Sequence, residues 1–171
     1  MANFSICLPS LIFLSLLFFV KPNTGEQTIQ ALCAKSIDPS FCIRVLAASP
    51  SKSSTDLLKT AVSQAANNAL GTTDKIKSYM NQPNDPNLVA YFQCSNFYSA
   101  AVEALNAASQ LLGSRPAPDV KNDVASAAST VQKDSDSCEA SFSNGAKHTL
   151  SMENKNLKIH GNIISVVCDV M

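Results

Sequence analysis

Tryptophan is absent from this 171-residue chain, glycine occurs only five times and histidine twice. So few glycines leave no phosphate-cradling Gly-rich loop and no Gly-x-Ser-x-Gly nucleophile elbow. The two histidines, His148 and His160, lie twelve residues apart, so no His-x3-His zinc pair exists. No Cys-x-x-Cys pair exists either. Charge is scarce and balanced, with 13 basic and 13 acidic side chains, which excludes the basic face that a nucleic-acid partner needs. Strict apolar–polar alternation is missing, so no strand is expected. After residue 20 no apolar run is long enough to cross a bilayer.

What is present begins with Leu8 to Val20, an almost unbroken apolar run. It is shorter than the ~20 residues of a spanning helix and sits where a secretory leader has its apolar region. Residues 1–25 are read as that leader, with cleavage after Gly25, although no Lys or Arg precedes the run. Removing it takes away Cys7, Lys21 and the sole glycosylation sequon, Asn3-Phe-Ser. The remaining chain is expected outside the cell, free of the membrane, and long enough for one core-bearing domain. The expected division is a helical hairpin over 26–52 and a bundle over 53–171.

The helical period dominates. Tyr91, Cys94, Tyr98, Ala101, Leu105, Ala108 and Leu112 recur in alternating steps of three and four, one face of a helix. Asp85 is the expected cap of this helix, Pro86 its first residue, and Gly113 with Arg115-Pro116 its end. A second seam carries Val120, Val124, Ala127, Val131, Cys138 and Phe142, with Asp134 and Ser135 at the skipped position. Pro118 marks its start and Asn144-Gly145 its end. The segment from about Ser54 to Met80 carries Leu57, Leu58, Ala61, Val62, Ala65, Ala69 and Ile76. The last carries Leu157, His160, Ile164, Val167 and Met171. Short connectors between these four helices force an up-down-up-down four-helix bundle, so the fold class is all-α. Ahead of it, Ile29, Leu32 and Cys33 lie on one short helix, and Asp38-Pro39 opens another carrying Phe41, Cys42, Val45 and Leu46.

Four cysteines of the exported part allow three pairings. Cys33 with Cys42 closes a short local loop. Cys94 with Cys138 joins the apolar seams of adjacent helices. These two disulfides are the expected pairs, and Cys168, beside Val167, is left as a free buried thiol. The acidic cluster Asp134, Asp136 and Glu139 lacks the loop of a calcium site and reads as a solvated helix face. His160 reads as a side chain at the bundle edge rather than as a pH sensor. Neither catalytic residues nor a metal or cofactor is expected, so such a bundle works through its surface.

The residues in order resemble the plant invertase and pectin methylesterase inhibitor family over about 29–171. The N-terminal part reads Ile29-x3-Cys33-x8-Cys42, with Asp38-Pro39-Ser40-Phe41-Cys42, then Leu46, Pro50, Asp56 and Leu57 in register. The middle reads Cys94-x3-Tyr98-x2-Ala101-x3-Leu105, and the third part Cys138-Glu139-x2-Phe142. The resemblance implies the same bundle, hairpin and two disulfides, and a monomeric apoplastic inhibitor that forms a stoichiometric complex with a cell-wall enzyme. Members of the pectin methylesterase branch lay bundle helices over the target's cleft; members of the invertase branch insert a Pro-Lys-Phe loop into the sugar site. Here the corresponding region, Arg115 to Asp123, has no Pro-Lys-Phe. Gln93 and Ser137 replace the usual acidic residue and Thr before the third and fourth cysteines; Ser129-Thr130-Val131 replaces Ser-Ala-Ala. Asn96 and Ala100 stand where acidic side chains are common, while Glu103 is acidic. The expected partner is therefore pectin methylesterase, with acid invertase as the alternative and a non-inhibitory secreted bundle as a further one. The expected contact residues are Asn96, Ser99, Glu103, Asn106, Lys133, Asp136 and Ser137.

Overall fold

The computed structural model describes residues 24–142 and 148–171. The apolar run Leu8 to Val20, expected as part of a leader, and the expected Asn144-Gly145 stop lie outside the described residues. Six helices follow one another: α1 (Thr24–Cys33), α2 (Pro39–Ala47), α3 (Ser54–Met80), α4 (Leu88–Ser114), α5 (Ala117–Ser141) and α6 (Ser151–Asp169). No strand occurs among the described residues.

Local chemistry sets the helix starts. Asp38 Oδ1 accepts the Phe41 N–H at 2.9 Å, and Pro39 opens α2 without needing a partner for its missing donor. Ser53 Oγ accepts the Asp56 N–H at 3.1 Å and donates back to the Asp56 carboxylate, a reciprocal cap for α3. Hydrogen bonds from Ser51 and then Ser53 hold that carboxyl below its usual range. The expected cap of α4 is corrected. Asp85 Oδ1 accepts the Asn87 N–H at 2.7 Å, and the Leu88 N–H bonds the Asp85 carbonyl at 3.1 Å. Asp85 and Pro86 thus form a turn that spends the Asp side chain two residues early, and the helix begins at Leu88.

α3 packs on α4, α4 on α5, α5 on α6, and α6 returns to α3, which closes the bundle. Leu58, Val62 and Ile76 of α3, Tyr98 and Leu105 of α4, Val120 and Val131 of α5, and Leu157, Ile163 and Ile164 of α6 fill the middle. Ala61, Ala65, Ala69 and Ala101, all fully buried, let the axes come close. In the middle of α5 it is Ala128 that is buried, and Ala127 is half-buried. The steps Val120, Val124, Ala128, Val131 follow a straight helix of 3.6 residues per turn, whereas a heptad count drifts off it. Asp134 and Ser135, the polar residues at the seam's skipped position, are both buried.

α5 and α6 come close together at Gly161. A Cβ added at Gly161 would lie 2.7 Å from Gln132 Cγ and 2.9 Å from the Ala128 carbonyl oxygen, so glycine is required there. The α1–α2 hairpin leans on α3 and α6, and its Ile29, Leu32 and Leu46 join the common core. Cys33 bonds Cys42 across the hairpin, with Cα atoms 5.5 Å apart, and Cys94 bonds Cys138 between α4 and α5, at 4.6 Å.

Candidate functional site

A helix that buries one face offers the opposite face to a partner. On α4 the buried seam runs through Tyr91, Cys94, Tyr98, Ala101, Leu105 and Ala108. Asn96, Ser99, Glu103 and Asn106 are all exposed on the far side, spaced three, four and three. The same spacing continues backwards to Phe92, which is 51% exposed, with Val89 beside it at 71%. These two apolar side chains were missing from the sequence expectation. The available signal was that Phe92 falls one position off the apolar seam, which puts a large ring on a polar face.

The residues expected from α5 divide. Lys133 is exposed and Ser137, one turn on, is half-buried. Asp136 turns to α6, where Lys158 Nζ donates to both carboxylate oxygens at 2.9 Å. Asp136 therefore borders the groove between α5 and α6, apart from the α4 stripe.

That groove, about 320 Å³, is bordered by Asp136, Glu139, Asn154, Lys155 and Lys158. Its polar groups serve each other. Glu139 accepts from Asn154 Nδ2 at 2.8 Å on Oε2 and from Ser151 Oγ at 3.2 Å on Oε1, and His148 Nε2 lies 3.0 Å from Oε2. Asn154 Oδ1 accepts from the buried Tyr98 hydroxyl at 2.9 Å, and burial pushes that phenol's pKa well up. His148 Nδ1 accepts the Leu150 N–H at 3.1 Å while its ring stacks on Phe142, centroids 3.5 Å apart. The acidic cluster thus divides: Asp134 is buried, whereas Asp136 and Glu139 are exposed as expected, the one paired with Lys158 and the other tying α5 to α6. Burial raises the Asp134 carboxyl pKa, against a smaller opposing pull from Lys133.

No nucleophile–base pair forms around either histidine. His160, expected at the bundle edge, is 5% exposed under the hairpin, and burial pulls its pKa down to about 4. The edge expectation fails because α2 covers that side of α6, which a helix-by-helix reading does not show. Cys168 is free and buried, and burial first, then Asp169, pushes its thiol up to about 11, so it stays protonated and unreactive. Among the described residues no group of three or more His, Cys, Asp or Glu side chains is placed to hold a metal. None of the described helices is long and apolar enough to cross a membrane.

The site is a surface, and relatives tell what kind. The sequence matches the profile described as plant invertase/pectin methylesterase inhibitor over residues 27–168. A pectinesterase inhibitor from Actinidia deliciosa is 29% identical over 182 aligned residues, covering 98% of this chain and 93% of that protein. A mutant form A of a pectin methylesterase inhibitor from Arabidopsis has a crystal structure similar to this fold, with TM-score 0.73 and 24% identity over 84% of this chain and 96% of that one. A pectin methylesterase inhibitor from Arabidopsis thaliana gives TM-score 0.62 at 23% identity, over 84% and 95%. At such identities the two crystal structures speak for the fold. The profile match spans most of the chain, which therefore belongs to the plant invertase/pectin methylesterase inhibitor family, a family of inhibitors and not of enzymes.

Proposed function

We propose that the protein is a secreted inhibitor of pectin methylesterase that forms a one-to-one complex and covers the enzyme's cleft with the outer face of α4 and the adjoining flank of α5. The observation that carries this reading is the near full-length similarity to a pectinesterase inhibitor. Two features of the chain support it. The α4 stripe from Phe92 to Asn106 joins an exposed ring to polar side chains, the mix that anchors protein interfaces. The turn between α4 and α5 is confined to Arg115 and Pro116, and the first turns of α5 follow at once, without a Pro-Lys-Phe loop. Inhibition is by occlusion, since no side chain of the stripe has chemistry to offer.

The test is a titration of the oxidised protein against pectin methylesterase and acid invertase in parallel, at mildly acidic pH. Loss of esterase activity at one equivalent, with invertase untouched, is the expected result. Phe92→Ala and Glu103→Ala should each weaken inhibition by about tenfold or more with helix content unchanged. Loss of invertase activity alone would replace this reading with the alternative target, and loss of neither would leave a non-inhibitory bundle.

A further inference from the structure

The hairpin and the bundle are separate covalent units. Cys33–Cys42 closes within the hairpin, and Cys94–Cys138 closes within the bundle. No disulfide crosses between them, so the hairpin is held down by the short link from α2 to α3 and by contacts. Two contacts stand out, and both are made by α6. Asn162 Oδ1 accepts from Ser36 Oγ and from the Ile37 N–H, each at 2.9 Å. Two residues before it, the His160 ring meets the edge of Phe41 with centroids 5.0 Å apart and planes at 84°. Arg44 of α2 lies over the same Phe41 ring at 5.3 Å. His160 Nδ1 is buried without a partner.

We propose that His160 is an acid-sensitive latch, through which protonation loosens the docking of the α1–α2 hairpin on α6. The imidazolium has nowhere to go in the docked state. Its unpartnered nitrogen would gain a proton and no acceptor, and Arg44, the cation of α2, lies over the Phe41 ring and offers none. Asp38, the carboxylate of α2, is committed to the helix cap. No charged group of α3, α5 or α6 contributes to the displaced titration, which burial alone causes. When the hairpin lifts as a unit, with its own disulfide intact, the ring reaches water and takes its proton at the ordinary pH.

The sign follows from linkage. The docked state holds its full advantage above the ordinary histidine value and loses it as pH falls towards about 4. With 6.5 as the undocked value, the population with the hairpin lifted should rise about thirtyfold between pH 7.5 and pH 5.

Hydrogen–deuterium exchange of the whole protein tests this, with rates corrected for the intrinsic effect of pH. Amides of α2 and the Ile37 N–H should lose protection by about thirtyfold over that range, while α4 and α5 do not. In His160→Phe the slope should flatten. Asn162→Ala should raise exchange of the hairpin at every pH and leave the slope in place. Equal loss of protection in all helices, or a slope that survives in His160→Phe, would overturn the proposal. Should that variant fail to fold, the wild-type imidazole resonance decides: a His160 titration near 6.5 in the folded protein would overturn it equally.

Discussion

Helix α5 is held on its two flanks by different physics. Towards α4 the fastening is covalent: Cys94–Cys138 bridges two apolar seams, and Asp134, one turn before Cys138, is buried with Oδ2 unpartnered. Towards α6 the fastening is polar and steric. Gln132 reaches Ser165 at 3.3 Å, Asp136 pairs with Lys158, Glu139 bonds Asn154, and Gly161 leaves no room for a Cβ beside the Ala128 carbonyl. The first flank tolerates an unmet polar group because a bond holds it shut. The second needs every partner in register. The difference has a functional corollary: the polar side chains of the α6 flank are used up internally, so the α4 side is the one with side chains to spare for a partner.

The largest expected effect lies on the covalent flank. Replacing both Cys94 and Cys138 by Ala opens a loop with sequence separation 44, and loop entropy puts the loss at about 4 kcal/mol. The Cys33→Ala, Cys42→Ala pair, with separation 9, should cost about 3 kcal/mol by the same reasoning. Denaturant midpoints of the two double variants against the oxidised parent measure both. An equal or larger loss for the short loop would show that strain and packing, not loop length, set what each bond contributes, and the distinction drawn for the α4 flank would fall.

The α6 flank is tested by one methyl group. Gly161→Ala should gain about 1 kcal/mol of helix propensity and lose more to overpacking, for a net destabilisation of about 1–2 kcal/mol. One of the atoms in the way is a backbone carbonyl, which cannot swing aside. Gly71→Ala is the control, since nothing lies within 4 Å of the added Cβ, and it should stabilise by up to about 1 kcal/mol. Opposite signs in thermal unfolding would show that steric register fastens α6. Two gains would show that the flank can slide.

The two flanks also differ in how far the sequence reveals them. The α4 flank was legible: seams spaced three and four put Cys94 and Cys138 on facing stripes, and periodicity is a local property of each helix. The α6 flank was not. Nothing local links Asp136 to Lys158 or Glu139 to Asn154, so Asp136 was grouped with the α4 side and the acidic cluster with solvent. Gly161 gave no turn signal because its role is a close approach between helices. The hairpin's docking was hidden for the same reason, since Ser36 and Asn162 meet across 126 residues of chain. Phe92 was readable in principle, as an aromatic residue one step off the seam, once the exposed face of α4 was given as much weight as the buried one.

The smallest effect asks whether the covalent flank does shelter an unmet charge. Burial raises the Asp134 carboxyl pKa, so its contribution to stability is fully present below the ordinary carboxylate range and is lost as pH rises through the folded-state value. Asp134→Asn keeps the shape and cannot ionise. Near neutral pH the variant should be more stable than the parent by up to about 1 kcal/mol, the scale of one poorly met buried group. The gap should close as the solution is made acidic and Asp134 becomes neutral in the parent. His160 acts with the opposite sign, weakening the fold as pH falls, but it is present in both proteins and cancels in the difference. Urea midpoints of the pair, taken from neutral pH downwards, give that difference directly. Parallel curves would mean that solvent meets Asp134 as well in the folded parent as in the unfolded chain, and the disulfide alone would then set the α4 flank of α5 apart from the α6 flank.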